Sequence, residues 1–216
     1  MKKAVIFDLD GTLADSLDSL AYCTNAMLKE LQLPPLHRDN YRYYAGDGAV
    51  KLVERALAAA GDQELSHLQQ AVDLYSRIFE KHCMYHVQPY PGIVETLQEL
   101  KQKGVFIAVL SNKPHERTLD VIHTLFGKDL FDVIAGQKPG VEKKPSPQGV
   151  FAILKELALL PSDALYVGDT NTDMKTGKAA GLFTLGALWG FRDRQELEEN
   201  HADAIIERPQ QILQYL

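Results

Sequence analysis

Lys3-Ala4-Val5-Ile6-Phe7 runs without a break into Asp8-Leu9-Asp10-Gly11-Thr12, an apolar strand that ends in two carboxylates two residues apart. A strand has a period of two, so Asp8 and Asp10 would share a face if it continued. Gly11 breaks it and leaves both acids in the turn beyond its C-terminal end, the place where open α/β sheets bind ligands. Two like charges this close are costly unless a cation, a shared proton or hydrogen bonds offset the repulsion. An Asp-Gly turn accounts for Asp10-Gly11. It does not account for an acid at Asp8, directly after four apolar residues.

The rest of the chain says what kind of sheet this strand enters. Leu17, Leu20, Ala21, Thr24, Met27, Leu28 and Leu31 recur at helical spacing, and Pro34-Pro35 ends the run. Gly46-Asp47-Gly48 is a turn opening a second helix with Val50, Val53, Ala56, Leu57 and Ala60 on one side and Gly61 as its stop. A third helix reads through Leu65, Leu68, Val72, Tyr75, Ile78 and Phe79. From Pro89 onward helices and strands alternate. Pro91 opens a helix that Gly104 stops, and Val105–Leu110 is a strand ending at Ser111-Asn112. A helix runs from Pro114 to Gly127, and Phe131–Ala135 is a strand. Ser146-Pro147 is a cap and first-turn pair for a helix to Leu159. Strands follow at Ala164–Val167, Phe183–Leu185 and Ala204–Ile206, with a short helix ending near Gly181. The expected class is α/β, a doubly wound and mainly parallel sheet with an inserted all-helical subdomain. The expected boundaries are 1–14 and 87–216 for the core and 15–86 for the helical insertion.

Composition narrows the partners. The chain of 216 residues carries 23 basic and 29 acidic residues, with a pI near 5.6. An acidic balance argues against nucleic acid as the main partner. No stretch is long enough to cross a membrane, and Asp8 cuts short the apolar run that follows Lys2-Lys3. Cys23 and Cys83 lack CxxC spacing and suit a reducing compartment, so the expected location is cytoplasmic.

In a parallel sheet all strand C-termini lie along one edge, so the polar residues ending these strands can converge. They are Asp8 and Asp10, Ser111 and Asn112, Gly136 and Gln137, and Asp169 with Asp173. Gly136 and Gln137 are ordinary loop residues. Asp173 at a helix start reads equally well as a cap and as a site residue. Three or four carboxylates beside loop oxygens suit a hard divalent cation, and Mg²⁺ takes a few carboxylates plus waters and a substrate phosphate. Lys144, just before Pro145-Ser146-Pro147, adds an ammonium beside a helix N-terminus, where an anion is favoured.

Phe7-Asp8-Leu9-Asp10-Gly11-Thr12, Leu110-Ser111-Asn112-Lys113, Lys144-Pro145 and Gly168-Asp169-Thr170-Asn171-Thr172-Asp173 resemble, in order, the four motifs of the haloacid dehalogenase superfamily. The match spans the chain. The resemblance implies a Rossmann-like core and a helical cap of the first type. Asp15-Ser16-Leu17-Asp18-Ser19-Leu20, Asn25-Ala26-Met27-Leu28, the stretch from Gly46 to Leu57, and Trp189-Gly190 are similar to the phosphoglycolate phosphatases of that superfamily.

What the resemblance implies is a Mg²⁺-dependent phosphatase acting through an aspartyl-phosphate. Asp8 is then the nucleophile, Asp10 the acid and base, and Ser111 and Lys144 hold phosphate oxygens. Asp8, the backbone carbonyl of Asp10, Asp169 and Asp173 are the implied metal set, with Asp173 at its edge. Thr12 and Asn112 are implied phosphate contacts, and Gly46 is an expected backbone contact for substrate from the cap. Arg42, Lys51 and Arg55 read best as solvated positions, and Tyr41, Tyr43 and Tyr44 as cap packing. The expected partner is a small phosphorylated metabolite, 2-phosphoglycolate first, with the protein a monomer or homodimer. A pyrophosphatase, a nucleotidase or a β-phosphoglucomutase would carry nearly the same core. A phospho-accepting signalling receiver lacks the paired acids, and an inactive relative would not keep every catalytic position.

Overall fold

Ala4, Val5, Ile6 and Phe7 are all fully buried, and in this computed structural model, which describes residues 2–216, they form β1 (Ala4–Phe7). Alternate residues point to opposite faces, so a strand buried along its whole length has both faces covered. On one face Ala4 and Ile6 pack with Ala108, Tyr166, Val150, Ile153 and Leu154 in a single apolar cluster. After β1 come β2 (Ala14–Asp15), then α1 (Leu17–Glu30), α2 (Tyr41–Tyr44), α3 (Ala49–Ala59) and α4 (Leu68–His82). The chain divides into two units, one of residues up to Asp15 with Pro89–Leu216, the other Ser16–Gln88.

The first unit resumes at Pro89, the second residue of β3 (Gln88–Pro89), which pairs with β2, and goes on to α5 (Ile93–Gln102). It continues with β4 (Phe106–Pro114), α6 (His115–Phe126), β5 (Val133–Gln137) and α7 (Gln148–Glu156). The remaining elements are β6 (Ala164–Gly168), α8 (Asn171–Ala179), β7 (Phe183–Ala187), α9 (Arg194–Glu199) and β8 (Ala204–Ile206). Six strands form one parallel sheet in the order β5-β4-β1-β6-β7-β8. The chain builds outward from β1 to β4 and β5, then returns to the other side of β1 for β6, β7 and β8. That reversal makes the C-terminal end of β1 the topological switch point, where a crevice opens in such sheets. Phe7 is in register with Val109 on one side and Val167 on the other, so Asp8 leaves the sheet between the ends of β4 and β6.

The second unit is helical throughout. α1 packs on α4, with Leu17, Leu20, Met27 and Leu28 buried on one side of it. The fully buried Tyr41 donates its hydroxyl to Asn25 Oδ1 at 2.8 Å, and Asn25 also pairs with both backbone groups of Leu36. Tyr41 is therefore packing, as its sequence position suggested. On α3 the apolar face differs by one position from the sequence expectation: Leu52 is buried and Val50 exposed.

Tertiary contacts move several element ends. β4 does not stop at Ser111-Asn112 but continues to Pro114, because it pairs again with β5 at Pro114 and Gln137 after a register shift. Pro91 precedes its helix, which Gly92 caps in the left-handed region. α7 begins at Gln148, with Pro147 as its cap, and ends at Glu156, where Leu159 N turns back to Leu154 O. α9 has no counterpart in the sequence reading. Asp193 caps it by accepting the Glu196 amide at 2.9 Å.

α4 starts at Leu68 rather than Leu65, since the Asp62 carboxylate gathers the segment before it. Asp62 accepts from the Ser66 amide (2.9 Å), the His67 amide (3.0 Å) and the His67 ring (2.9 Å). These donors, the His67 amide first, hold its carboxyl down at about 2. The folded value lies below the unfolded value of about 3.9, so the contribution is fully present above that pH. It is lost as pH falls toward 2. Asp62→Asn should lower the melting temperature near neutral pH, and the gap to wild type should shrink to about a third on acidification to about pH 2.5. A gap of equal size at both pH values, measured by circular dichroism melts, would contradict this.

Candidate active site

The turn after β1 sets the geometry. Leu9 O accepts the amides of Thr12 (3.3 Å), Leu13 (2.9 Å) and Ala14 (3.0 Å), and the buried side chains of Leu9 and Leu13 anchor the loop. Gly11 sits at φ +89°, and a Cβ there would lie 2.2 Å from Asp169 Oδ2. Only glycine lets this backbone pass so close to another acid.

Asp8 is buried, and among the described residues the two polar contacts of its carboxylate both fall on Oδ1: the Leu9 amide at 2.7 Å and Lys144 Nζ at 2.7 Å. Lys144 Nζ also pairs with Asp173 Oδ1 at 2.8 Å. Asp173 is a helix cap whose other carboxylate oxygen faces Lys144. It completes a capping box with Thr170 at the start of α8, Oδ2 taking the Thr170 amide (3.1 Å) and hydroxyl (2.7 Å). Its Oδ1 meets Lys144 and the Tyr166 hydroxyl (3.3 Å). Asp169 is held at Oδ1 by the Thr12 hydroxyl (2.7 Å) and at Oδ2 by the Phe191 amide (2.8 Å). Asp8, Asp169 and Asp173 each offer an oxygen within 4.8 Å of the others.

Burial of like charges shifts their protonation. Burial first, and then Asp173, push the Asp8 carboxyl well above its ordinary range, with Lys144 opposing. The same two causes push Asp169 up to about 7. Burial alone would lower Lys144, but Asp173 and Asp8 outweigh it and hold its ammonium well above the usual value. One ammonium thus fails to neutralise three buried carboxylates. A further cation would reverse the shifts, and an all-oxygen donor set suits a hard divalent ion.

The other expected residues have separate tasks. Ser111 Oγ accepts the Lys113 amide at 3.1 Å, so its own proton remains to be donated. Asn112 grips the backbone of Lys144, accepting its amide at 2.8 Å and donating to its carbonyl at 3.1 Å. Asn112 and Thr12, which the resemblance implied as phosphate contacts, therefore engage Lys144 and Asp169. Asp10 lies outside the carboxylate trio, and both its oxygens meet Lys113 Nζ at 2.7 and 2.9 Å. Like-charged neighbours were expected around it, and the neighbour found is an ammonium. Gly46, at φ 113°, belongs to the helical unit.

Sequence reasoning missed four participants: Lys113, Tyr166, Trp189 and Phe191. Lys113 directly follows Ser111-Asn112 in the sequence. Trp189 donates its indole N–H to Thr12 O at 2.9 Å, so the loop after β7 reaches back to the turn after β1. The Trp189-Gly190 pair was the only signal for that contact.

The family model described as haloacid dehalogenase-like hydrolase matches residues 5–187. A phosphoglycolate phosphatase of Aquifex aeolicus is 36% identical, covering 99% of this chain and 96% of that protein. One from Nitrosospira multiformis is 34% identical over 94% of this chain and 91% of its own length. Among solved structures, one titled a predicted phosphoglycolate phosphatase from Haemophilus somnus superposes with a TM-score of 0.91 at 27% identity. It covers 99% of this chain and 97% of that one. Among the described residues no helix is long and apolar enough to cross a membrane.

Gly190 tests how closely the carboxylates are held. A Cβ there would lie 2.3 Å from Asp169 Cβ and 2.4 Å from Gly11 O, both rigidly placed. Gly190→Ala should weaken divalent-cation affinity by about ten- to a hundredfold, as changes behind a ligand do. Gly181→Ala, strained at φ +74° but with nothing within 4 Å of its Cβ, is the comparison for a backbone change away from the carboxylates. Equal affinity for the two variants in titration calorimetry would remove Gly190 from this role.

Proposed function

The chain belongs to the haloacid dehalogenase-like hydrolase family, and we propose that it is a Mg²⁺-dependent phosphatase of small phosphate monoesters, 2-phosphoglycolate foremost. The observation that carries this is the state of Asp8. Both of its partners sit on Oδ1, so Oδ2 has no hydrogen bond among the described residues and is the atom left for attack. The names of the full-length relatives support the substrate. Cys23 and Cys83 are both buried thiols, which fits a cytoplasmic location.

The carboxylates of Asp8, Asp169 and Asp173 with the backbone carbonyl of Asp10 would hold Mg²⁺. Bound there, the ion offsets the charge of the attacking carboxylate and of the phosphate. Asp8 Oδ2 bonds to phosphorus as the ester P–O bond breaks, and Asp10 gives a proton to the departing alkoxide oxygen. Lys144 and the Ser111 hydroxyl hold phosphate oxygens, where charge accumulates. Asp10, now a carboxylate, takes a proton from water as the water oxygen bonds to phosphorus. The bond from phosphorus to Asp8 then breaks, releasing orthophosphate and restoring the starting carboxylate. An acid at position 10 favours attack on phosphorus over attack on carbon, which has no alkoxide to protonate.

Rates on 2-phosphoglycolate, pyrophosphate, nucleotides and sugar phosphates, with Mg²⁺ and with EDTA, test the reading directly. Hydrolysis should be greatest with 2-phosphoglycolate and abolished by EDTA. Activity that survives the chelator would refute the metal assignment. Asp10→Asn should phosphorylate Asp8 only slowly from an alkyl ester and turn over about 10²–10⁴-fold more slowly than wild type. Steady-state hydrolysis at the wild-type rate would remove Asp10 from its role.

A further inference from the structure

Lys113 is an almost fully enclosed ammonium that the steps above do not use. Its side chain is 3% exposed, and its Nζ lies 2.7 and 2.9 Å from the two oxygens of Asp10. A lysine is rarely buried unless it is paired, because removing an ammonium from water is costly. The protein nevertheless fixes this one. Its amide donates to Ser111 Oγ, its carbonyl accepts from the Thr118 hydroxyl at 3.2 Å, and it lies in the extension of β4 beyond Leu110. Lys144 has a different assignment, with Asp8 and Asp173. Lys144 thus takes Asp8 and Asp173, and Lys113 takes Asp10.

We propose that Lys113 is a positioning residue for Asp10, holding its carboxyl group in one orientation toward the leaving oxygen of the ester. The inference rests on the phosphatase reading. A carboxylate on a loop with rotatable χ1 and χ2 samples several orientations, and proton transfer needs the donor within hydrogen-bond reach of the leaving atom. A bidentate contact from one fixed ammonium selects the carboxyl plane, and the oxygen lone pair that Lys113 leaves open is where the proton sits that goes to the leaving oxygen and is later taken back from water. Lys113 itself touches no part of the ester. Its effect should therefore follow how much the leaving group needs a proton. An alkoxide departs poorly without one, whereas nitrophenolate leaves readily as the anion.

The test measures Asp8 phosphorylation in single turnovers with two esters, 2-phosphoglycolate and p-nitrophenyl phosphate, in wild type and in Lys113→Met, Lys113→Gln and Lys113→Arg. Circular dichroism melts identify variants that fold. In Lys113→Met or Lys113→Gln both rates should fall, the alkyl ester by about 10²-fold and the aryl ester by much less. The alkyl-to-aryl ratio then drops at least about tenfold, and the fall lies in the rate constant rather than in KM. Lys113→Arg, which can also grip both oxygens of a carboxylate, should restore most of the ratio. A ratio equal to wild type in the folded neutral variants would overturn the proposal. So would an arginine variant as impaired as the methionine one. Wild-type protein inert toward both esters would overturn the phosphatase reading, and this inference with it.

Discussion

Three buried carboxylates share one ammonium at the end of β1, and the rest of this site is arranged to make that tolerable. Asp8, Asp169 and Asp173 lie within 4.8 Å of one another at their oxygens, and Lys144 meets two of them. Left to itself such a cluster would spread apart or take up protons, and burial beside Asp173 raises the Asp8 and Asp169 carboxyls in the second direction. Spreading is prevented by the surrounding backbone. The Thr12 hydroxyl and Phe191 amide hold Asp169, and the Thr170 amide and hydroxyl hold Asp173. Glycine at 11, 168 and 190 lets the loops close around them, since a Cβ at any of these would meet a carboxylate side chain at 2.3 Å or less.

The sheet order explains why the groups meet at all. Each strand next to β1 delivers its own contribution at its C-terminal end: β4 brings Ser111, Asn112 and Lys113, and β6 leads into Asp169 and Asp173. The loop after β7 adds Trp189 and Phe191. Lys144 comes from a loop beyond β5 and is placed by Asn112, which clamps its backbone. A site built this way separates its tasks by element. The end of β1 supplies Asp8 and Asp10, and neighbouring elements supply the ammoniums that meet them.

The core strands were legible because each is a short apolar run bounded by glycine or polar residues, and β8 emerged with the expected ends. Misread ends share a cause. β4 runs past Ser111-Asn112 because β5 offers it a partner, and α4 starts late because Asp62 captures the amides of Ser66 and His67. α9 is six residues long, too short for periodicity to reveal. At the site, acids and a lysine announced themselves by residue type. Asn112 and Thr12 did not announce what they hold, since a hydroxyl or an amide can serve a ligand or a backbone equally well.

From the sequence alone came the kinds of groups and their order: paired acids after an apolar strand, a Ser-Asn pair, a lysine, and two more acids around a helix start. Those features are local, and strand period, turn chemistry and charge decide them within a few residues. Tertiary structure alone decided the partners. Lys113 reaches Asp10 across 103 positions, Thr12 reaches Asp169 across 157, and Lys144 reaches Asp173 across 29. Nothing in the neighbourhood of any of these residues encodes such a pairing. It follows from strand order and register, which place distant strand ends side by side. The physical reason is that charge compensation in a buried site acts over a few ångströms of space, whatever the distance along the chain.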